Sequence, residues 1–228
     1  MKFNYNEFMK RIPKQFPALI AALCLLFGFF SCSRSEPEIL YGFIELVYYP
    51  ETARPVERYS FFILPEDDDG VENLSELNLY HDTEGLRWIF SHNDWVQYED
   101  EGKIWIGSRN IAMVDDAPLP RGQYRAVLVN KGGEKTERRF TFDGPEEPLH
   151  PFPVFSVSDG IYQIESSYPV NKLICYDQQG TPVQTLTLSE TEGSVWDLQF
   201  SGNVRTAALW AEDPEYYTSA ITEAAVVR

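Results

Sequence analysis

The sequence has few of the residues that carry disulfide, metal or nucleophilic chemistry. Its 228 residues include three cysteines and three histidines. The histidines, at positions 81, 92 and 150, do not follow the HExxH or HxH spacing that binds zinc. A Gly-x-Ser-x-Gly elbow and a Gly-x-x-x-x-Gly-Lys phosphate loop are also missing. The sequence therefore lacks the common signatures of zinc enzymes, serine hydrolases and nucleotide-binding proteins. We predict neither a catalytic residue nor a cofactor.

Basic residues are also few. Lys and Arg total 19 against 35 Asp and Glu, which gives a net charge of −16. A surface with this charge repels the phosphates of nucleic acids and the headgroups of anionic lipids, so neither is expected as a partner. The ordinary consequence of such a charge is a soluble, self-repelling surface. The alternative is dependence on a cation or on a basic partner.

Long apolar runs are limited to one, the 15 residues from Phe16 to Phe30. A helix needs about 18–20 apolar residues to span a bilayer, so this run is too short for an ordinary membrane span. It is preceded by four basic residues, Lys2, Lys10, Arg11 and Lys14. A basic segment, a short apolar run and a small residue, here Ser31, are together typical of a signal peptide.

Cys32 follows directly after Ser31 and opens a polar stretch. A small residue followed by cysteine at the end of the apolar run resembles the lipobox of bacterial lipoproteins. Phe29 and Phe30 stand where that motif usually has an aliphatic and a small residue, and this resembles the relaxed lipoboxes of spirochaetes or other non-enteric bacteria. The alternatives are an ordinary secreted protein, in which Cys32 has no special role, and an uncleaved membrane anchor.

The lipobox resemblance implies a processed protein with a lipid anchor. Residues 1–31 would be removed as a signal peptide, and Cys32 would carry acyl chains such as palmitate that hold the chain to a membrane. The expected location is the bacterial cell envelope, at the inner or outer membrane, facing the periplasm or the cell surface. The processed chain keeps 15 basic and 34 acidic residues, a net charge of −19. Cys175 is its one cysteine besides Cys32, so no intramolecular disulfide is expected.

The rest of the chain consists of short segments rich in aromatic and β-branched residues, separated by turns that contain Gly, Asn, Asp or Pro. This pattern predicts strands, and we expect an all-β fold of two tandem β-sandwich modules. The predicted divisions are a tether at 32–39, a first module at 40–143, a proline-rich linker at 144–153 and a smaller sandwich at 154–228. The stretch 216–227 is weakly patterned and could instead be helical.

One hexapeptide indicates the kind of sandwich. Residues 119–124 read Leu-Pro-Arg-Gly-Gln-Tyr at the start of a predicted strand. This resembles the tyrosine corner of immunoglobulin-like and fibronectin type III sandwiches, in which a tyrosine hydroxyl bonds to the backbone a few residues upstream. The resemblance implies immunoglobulin-like modules in which Tyr124 bonds near Leu119. The Cys–Trp–Cys pattern of antibody domains is absent.

The acidic turn at residues 65–76 matches the calcium-binding loop in part. When residues 65–76 are laid on that template, Asp67, Asp69 and Glu76 fall at the third, fifth and twelfth places, with Gly70 at the sixth. Pro65 occupies the first place, where a side-chain ligand is needed. The pattern therefore favours a solvated acidic turn, and a loose calcium site is the weaker alternative.

Four aromatic residues are the main candidates for a binding surface: Trp88, Trp95, Tyr98 and Trp105. They fall on adjacent predicted strands. Flat rings in a row on a sheet can stack on sugar rings or anchor a protein partner, and they can equally be core residues. Trp95 and Tyr98 differ in parity along the strand, so at least one of them should point outward.

Two classes of function remain after these exclusions. The first is a lipid-anchored, non-catalytic interaction module for a protein or a glycan. The second is a carbohydrate-active hydrolase that uses carboxylates from the 66–101 region, and a purely structural envelope component is a further alternative. Two carboxyl groups about 5–10 Å apart in a cleft would favour the hydrolase, whereas an open sandwich with exposed aromatic rings would favour the interaction module.

Overall fold

The computed structural model describes residues 35–51 and 54–228. Its regular structure is almost entirely β, which confirms the predicted all-β sandwich fold. Within the described residues, the helical segments are two short 3-10 turns, Val71–Asn73 and Val114–Asp116. The weakly patterned stretch at 216–227 forms strands.

Sixteen strands are present in the described part of the chain. The first eight are β1 (Glu38–Tyr49), β2 (Val56–Glu66), β3 (Leu74–His81), β4 (Leu86–Ser91), β5 (Val96–Asp100), β6 (Lys103–Ile111), β7 (Gly122–Asn130) and β8 (Lys135–Phe142). The second eight are β9 (Val154–Ser158), β10 (Ile161–Glu165), β11 (Val170–Tyr176), β12 (Pro182–Thr187), β13 (Glu192–Ser194), β14 (Thr206–Asp213), β15 (Thr218–Ile221) and β16 (Ala225–Val226). The predicted linker at 144–153 lies between β8 and β9.

These strands form three sheets. The largest has nine strands in the order β12-β11-β14-β15-β1-β2-β6-β5, with β16 also paired to β14. The others are β4-β3-β7-β8 and β13-β10-β9. All paired neighbours are antiparallel except β1 and β15, which run parallel. This parallel pair joins strands from both predicted modules in one sheet, and the number of modules stays a prediction.

The core lies between one face of the nine-stranded sheet and the two smaller sheets. On β2, Tyr59 and Phe61 are fully buried. The Tyr59 ring meets Phe142 of β8 edge-on at 4.9 Å between centroids, and Phe61 meets Phe140 at 5.8 Å. Burying one such side chain stabilises the fold by about 1.5–3 kcal/mol, so packing can hold the chain without a disulfide. Cys175 is a free thiol in this core, and burial raises its pKa to about 11.

Two tyrosine hydroxyls meet at one carbonyl in the loop before β7. The Tyr124 hydroxyl donates to the Pro120 carbonyl at 2.5 Å, and the Tyr59 hydroxyl donates to the same oxygen at 2.9 Å. The Tyr124 bond spans four residues, as the tyrosine-corner resemblance implies. Its acceptor is the residue after Leu119. The corner therefore ties β7 to β2 as well as to its own loop.

Arg121 extends this tie to the linker. Its guanidinium donates to both carboxylate oxygens of Glu57 at 2.9 Å and to the Pro145 carbonyl at 2.5 Å. A paired guanidinium–carboxylate contact of this geometry is directional as well as strong. It fixes the position of the segment that follows β8.

We predict that Tyr124→Phe and Tyr59→Phe will each lower the free energy of unfolding by about 1 kcal/mol, because each removes one hydrogen bond and leaves the other tyrosine on the Pro120 carbonyl. The double variant should lose more than the sum, since it leaves a buried carbonyl without either donor. Urea unfolding of the four proteins measures this coupling. Strictly additive losses would show that the two hydroxyls act independently.

Candidate functional site

The second face of the nine-stranded sheet lies opposite the core. Successive side chains of a strand point to opposite faces, so Ser60 and Phe62 of β2 lie on this second face while Tyr59 and Phe61 lie in the core. The pairing of β1 with β2 sets Phe43 beside Phe62 and Glu45 beside Ser60. Phe43 and Glu45 are only half-buried. Five further aromatic residues are also half-buried: Tyr49, Tyr98, Trp105, Tyr176 and Trp210. The face is thus rich in aromatic groups that solvent can reach.

An open cavity of about 690 Å³ lies on this face. Its lining includes Tyr98 of β5 and Thr185 of β12, from the two ends of the sheet order. In a flat sheet those strands would be roughly 34 Å apart, at about 4.8 Å per strand spacing, so the sheet must curve around the cavity. We call this cavity the trough and define it by Phe43, Glu45, Tyr49, Phe62, Tyr98, Arg109, Tyr176 and Trp210.

At one end of the trough, aromatic rings of four strands pack together. Phe62 meets Tyr98 edge-on at 5.0 Å between centroids, and Phe43 lies 5.7 Å from Trp105. The Tyr98 and Trp105 rings lie on paired strands with centroids 6.3 Å apart and planes within 6° of parallel. The two rings are therefore parallel, and Tyr98 is the one of the pair that lines the trough. Aromatic faces carry partial negative charge and attract C–H groups and cations.

Gly107 permits the close approach of β6 to β2 on which this packing of aromatic rings depends. A β-carbon at that position would come 2.0 Å from the Phe61 carbonyl oxygen, so a larger residue would push β6 away from β2. Trp105 and Arg109 are two residues to either side of Gly107, and the strand period sets them on the same face. The Arg109 guanidinium lies 5.8 Å from the ring centres of both Phe62 and Tyr98, within the range of a cation–π contact.

Polar groups lie beside the rings. Glu45 accepts a hydrogen bond from the Ser219 hydroxyl, and nearby Lys172 and Glu212 form an ion pair at 2.7 Å. Burial raises the pKa of Glu45, and the negative charge of Glu212 raises it further, while the Ser219 bond and Lys172 act in the opposite direction. Glu45 is therefore a carboxyl that loses solvation in the trough without a direct basic partner among the described residues.

Three phenol groups face the same guanidinium. Burial raises the pKa of Tyr49, Tyr98 and Tyr176, and in each case the charge of Arg109 partly offsets the effect. These phenols stay protonated at neutral pH and can donate hydrogen bonds. Across residues 35–51 and 54–228, Arg109 makes no ion pair. The trough therefore combines stacking surfaces with phenol and guanidinium donors that make no side-chain hydrogen bond within the part of the chain that the structure describes.

The structure separates the four aromatic candidates into two pairs. Tyr98 and Trp105 lie together on the trough face. Trp95 is 8 % exposed and packs edge-on against His92, so it belongs to the core. Trp88 is half-buried, and its indole nitrogen donates to the Ala112 carbonyl at 3.1 Å. Trp95 and Tyr98 were predicted to differ in the side of the strand that they face, and Tyr98 is the one that points away from the core.

The calcium candidates make hydrogen bonds within the protein. One Asp67 oxygen accepts from the Asp69 backbone at 2.9 Å and from the Asn73 amide at 3.0 Å. Glu76 accepts from the Asn78 amide at 2.6 Å. Nowhere in the described residues do three or more His, Cys, Asp or Glu side chains form a group that could hold a metal ion.

The carboxylates of the 66–101 region are divided between two sheets: Glu76 lies on the four-stranded sheet, and Glu99 and Asp100 lie on β5 of the nine-stranded sheet. None of these three lines the trough. Asp82 pairs with Arg125 at 2.7 Å, and its hydrogen bond from that arginine lowers the pKa of Asp82. Glu76 lies 3.5 Å from Arg87. These contacts form an exposed charged surface.

Cys32, the candidate lipidation residue, lies outside the described residues. In the part of the chain that the structure covers, no helix is long and apolar enough to cross a membrane.

A hydrogen-bonded chain of side chains ties the linker to the second half of the fold. His150 lies with its Nε2 atom 2.8 Å from the buried carboxylate of Asp213, and its Nδ1 atom is 3.3 Å from the Ser167 hydroxyl. In a hydrolase triad the carboxylate holds Nδ1 and the serine contacts Nε2, so the two nitrogens have the opposite partners here. We therefore interpret this chain as a structural contact that holds the 144–153 segment against the end of β14.

Sequence reasoning missed most of the trough. Phe43, Glu45, Arg109, Tyr176 and Trp210 join Tyr98 only because β1 pairs with β15 and the sheet curves. The alternation within each strand indicates which residues share a face, but it does not indicate which strands are neighbours. The local signal was confined to β5 and β6, which are adjacent in sequence.

We predict that Glu45→Gln will stabilise the protein at neutral pH. Burial raises the pKa of Glu45 in the folded state, so stability falls as pH rises from the usual value of 4.5 through the folded value. Glutamine stays neutral and keeps an oxygen for Ser219. The gain in melting temperature should be largest above neutral pH and should shrink as pH approaches 4.5.

The matched control for this prediction is Glu99→Gln, which removes an exposed carboxylate from β5 and should show no such pH-dependent gain. A loss of stability in Glu45→Gln at pH 8 would contradict the argument and would indicate that the ionised carboxylate contributes favourable contacts.

The comparisons with known proteins assign no family. No family model matches the sequence, and no curated protein matches it. The crystal structure of dimeric latent PorU from Porphyromonas gingivalis is similar over 86 % of this chain and 21 % of that chain, with 15 % identity and a TM-score of 0.31. A structure that explains Dscam isoform specificity is similar over 86 % of this chain and 46 % of that chain, with 13 % identity and a TM-score of 0.19. This chain spans less than half the length of either, and at these TM-scores neither likeness carries an argument.

Proposed function

We propose that this protein is a lipid-anchored, non-catalytic interaction module of the bacterial cell envelope and that it binds its partner, a protein or a glycan, in the trough. The observation that carries the proposal is the open cavity in which half-buried rings, three phenols and an arginine without an ion pair line one curved face. Binding sites of this size combine apolar walls with a few fixed polar groups, typically in about 300–1,000 Å³.

The alternative of a hydrolase that uses carboxylates from the 66–101 region has less support. Asp82 and Glu76 contact arginine side chains at an exposed surface, away from the cavity. A pair of glycosidase carboxylates has to flank the scissile bond in a cleft, one protonated and one ionised. The trough has aromatic and hydrogen-bonding groups suited to holding a ligand instead.

Support for the anchor comes from the sequence. Cys32 lies six residues before Glu38, the first residue of β1. Even a fully extended segment of that length spans at most about 20 Å, so an acylated Cys32 would keep the folded part close to the membrane surface. The acidic surface would then be repelled by anionic headgroups and the sheets held away from them.

The binding proposal is tested by photo-cross-linking in living cells. We predict that benzoylphenylalanine at position 105 will capture a partner, because Trp105 borders the trough. The same amino acid at position 196 should not, since Trp196 is 74 % exposed but is separate from the nine-stranded sheet. Combining the probe at 105 with Trp210→Ala should reduce the yield. Equal capture at 105 and 196 would contradict a site in the trough.

The anchor proposal makes a separate prediction. Cys32→Ser should abolish incorporation of radioactive palmitate and leave the precursor uncut, because the acylated thiol is the substrate for processing in the lipoproteins that this N-terminus resembles. Cys175→Ser serves as the control, since its buried thiol should not be labelled. Continued labelling of Cys32→Ser would remove the lipid-anchor proposal and leave the trough unaffected.

A further inference from the structure

The chemistry of the trough specifies a ligand that is both flat-faced and rich in hydroxyl groups. The parallel rings of Tyr98 and Trp105 offer stacking surfaces at one end. Hydrogen-bonding groups that other side chains leave available, the Tyr49 and Tyr176 phenols and the Arg109 guanidinium, line the same cavity. Sugar rings match this combination, because they have apolar C–H faces and a rim of hydroxyls.

The charges on this face are balanced. Arg109 and Lys172 contribute two positive groups, and Glu45 and Glu212 contribute two carboxyls on the same side of the sheet. The positive charge of Arg58 also acts on Tyr49, and the negative charge of Asp100 acts on Tyr98. Lys172 and Glu212 already pair with each other. The whole chain has a net charge of −16, which repels a polyanion at long range. A neutral ligand fits both the local balance and the overall charge.

The position of the trough on a sheet face also disfavours an extended peptide. A peptide that binds by strand addition needs unpaired backbone groups at a sheet edge. Between the edge strands β12 and β5, which border its two ends, the trough is lined by strands that are paired on both sides within the sheet, such as β1, β2 and β14. A ligand there must therefore be recognised by side chains, through stacking and hydrogen bonds.

We propose that the trough binds a neutral oligosaccharide, and this inference rests on the proposed function of that site. One sugar ring stacks on the Tyr98 ring, which the parallel ring of Trp105 supports. Neighbouring hydroxyls accept from Arg109 and exchange hydrogen bonds with Tyr49 and Tyr176, and Glu45 accepts from a sugar hydroxyl.

The test uses the purified lipidated protein in detergent micelles, titrated with cello-, manno-, xylo- and chitohexaose and with a hexamer of galacturonate. Binding is measured by calorimetry and tryptophan fluorescence. At least one neutral hexasaccharide should bind, and the hexauronate should bind more weakly.

Trp105→Ala and Tyr98→Ala should each weaken the neutral complex about tenfold or more. The control Trp196→Ala should leave the affinity within about twofold, because its ring is outside the trough.

Arg109→Gln keeps the test decisive if an aromatic variant fails to fold. Arg109 is exposed, so its replacement should lower the melting temperature only slightly, through the lost cation–π contacts, and should weaken the oligosaccharide complex several-fold. Unchanged affinity in both Arg109→Gln and Trp105→Ala would overturn the site assignment. Tighter binding of the hexauronate than of every neutral hexamer would overturn the charge argument.

Failure of this inference can be told apart from failure of the proposed function. If no neutral hexasaccharide binds while the probe at position 105 still captures a protein, the oligosaccharide inference is wrong and the interaction module stands. If neither oligosaccharide binding nor site-specific capture at 105 occurs, both proposals are wrong.

Discussion

The parallel pairing of β1 with β15 is the constraint on which the rest of the structure depends. It registers Leu46 with Thr218 and Val47 with Ser219, and so joins two sets of antiparallel strands in one sheet. Without this pairing, the nine-stranded sheet would divide into two parts, each covered by one of the small sheets. With it, one face of the nine-stranded sheet borders a continuous core and the other face forms the trough. Ser219 also brings the second half of the chain to Glu45.

Hydrogen bonds from buried and half-buried side chains hold the loops at the border of the core in place. Tyr59 and Tyr124 share the Pro120 carbonyl, while Arg121 holds Glu57 and the start of the linker. Buried charges of this kind are stable only when their partners are in place. They hold loops against the sandwich, whereas burial of large side chains supplies most of the stability.

Local sequence patterns predicted the all-β class and the proline-rich segment between β8 and β9, because each depends on residues close together in the chain. Tyr124 could be identified from its hexapeptide for the same reason. The trough could not be predicted, since Tyr98 meets Tyr176 and Trp210 only through long-range pairing and sheet curvature. Residue type alone could not show that Trp88 and Trp95 lie away from the trough, because aromatic residues occur both in cores and on surfaces.

The separation in sequence between β1 and β15 has a consequence for the way the chain acquires its structure. A contact between Leu46 and Thr218 closes a very long loop, and such topologies fold slowly. If the chain crosses a membrane from its first residues onward, β1 and β2 reach the far side long before β15. The free edge of β1 is then an open template for pairing with other chains, and its aromatic neighbours are uncovered. A newly exported chain would therefore need a holding factor until the last strands arrive.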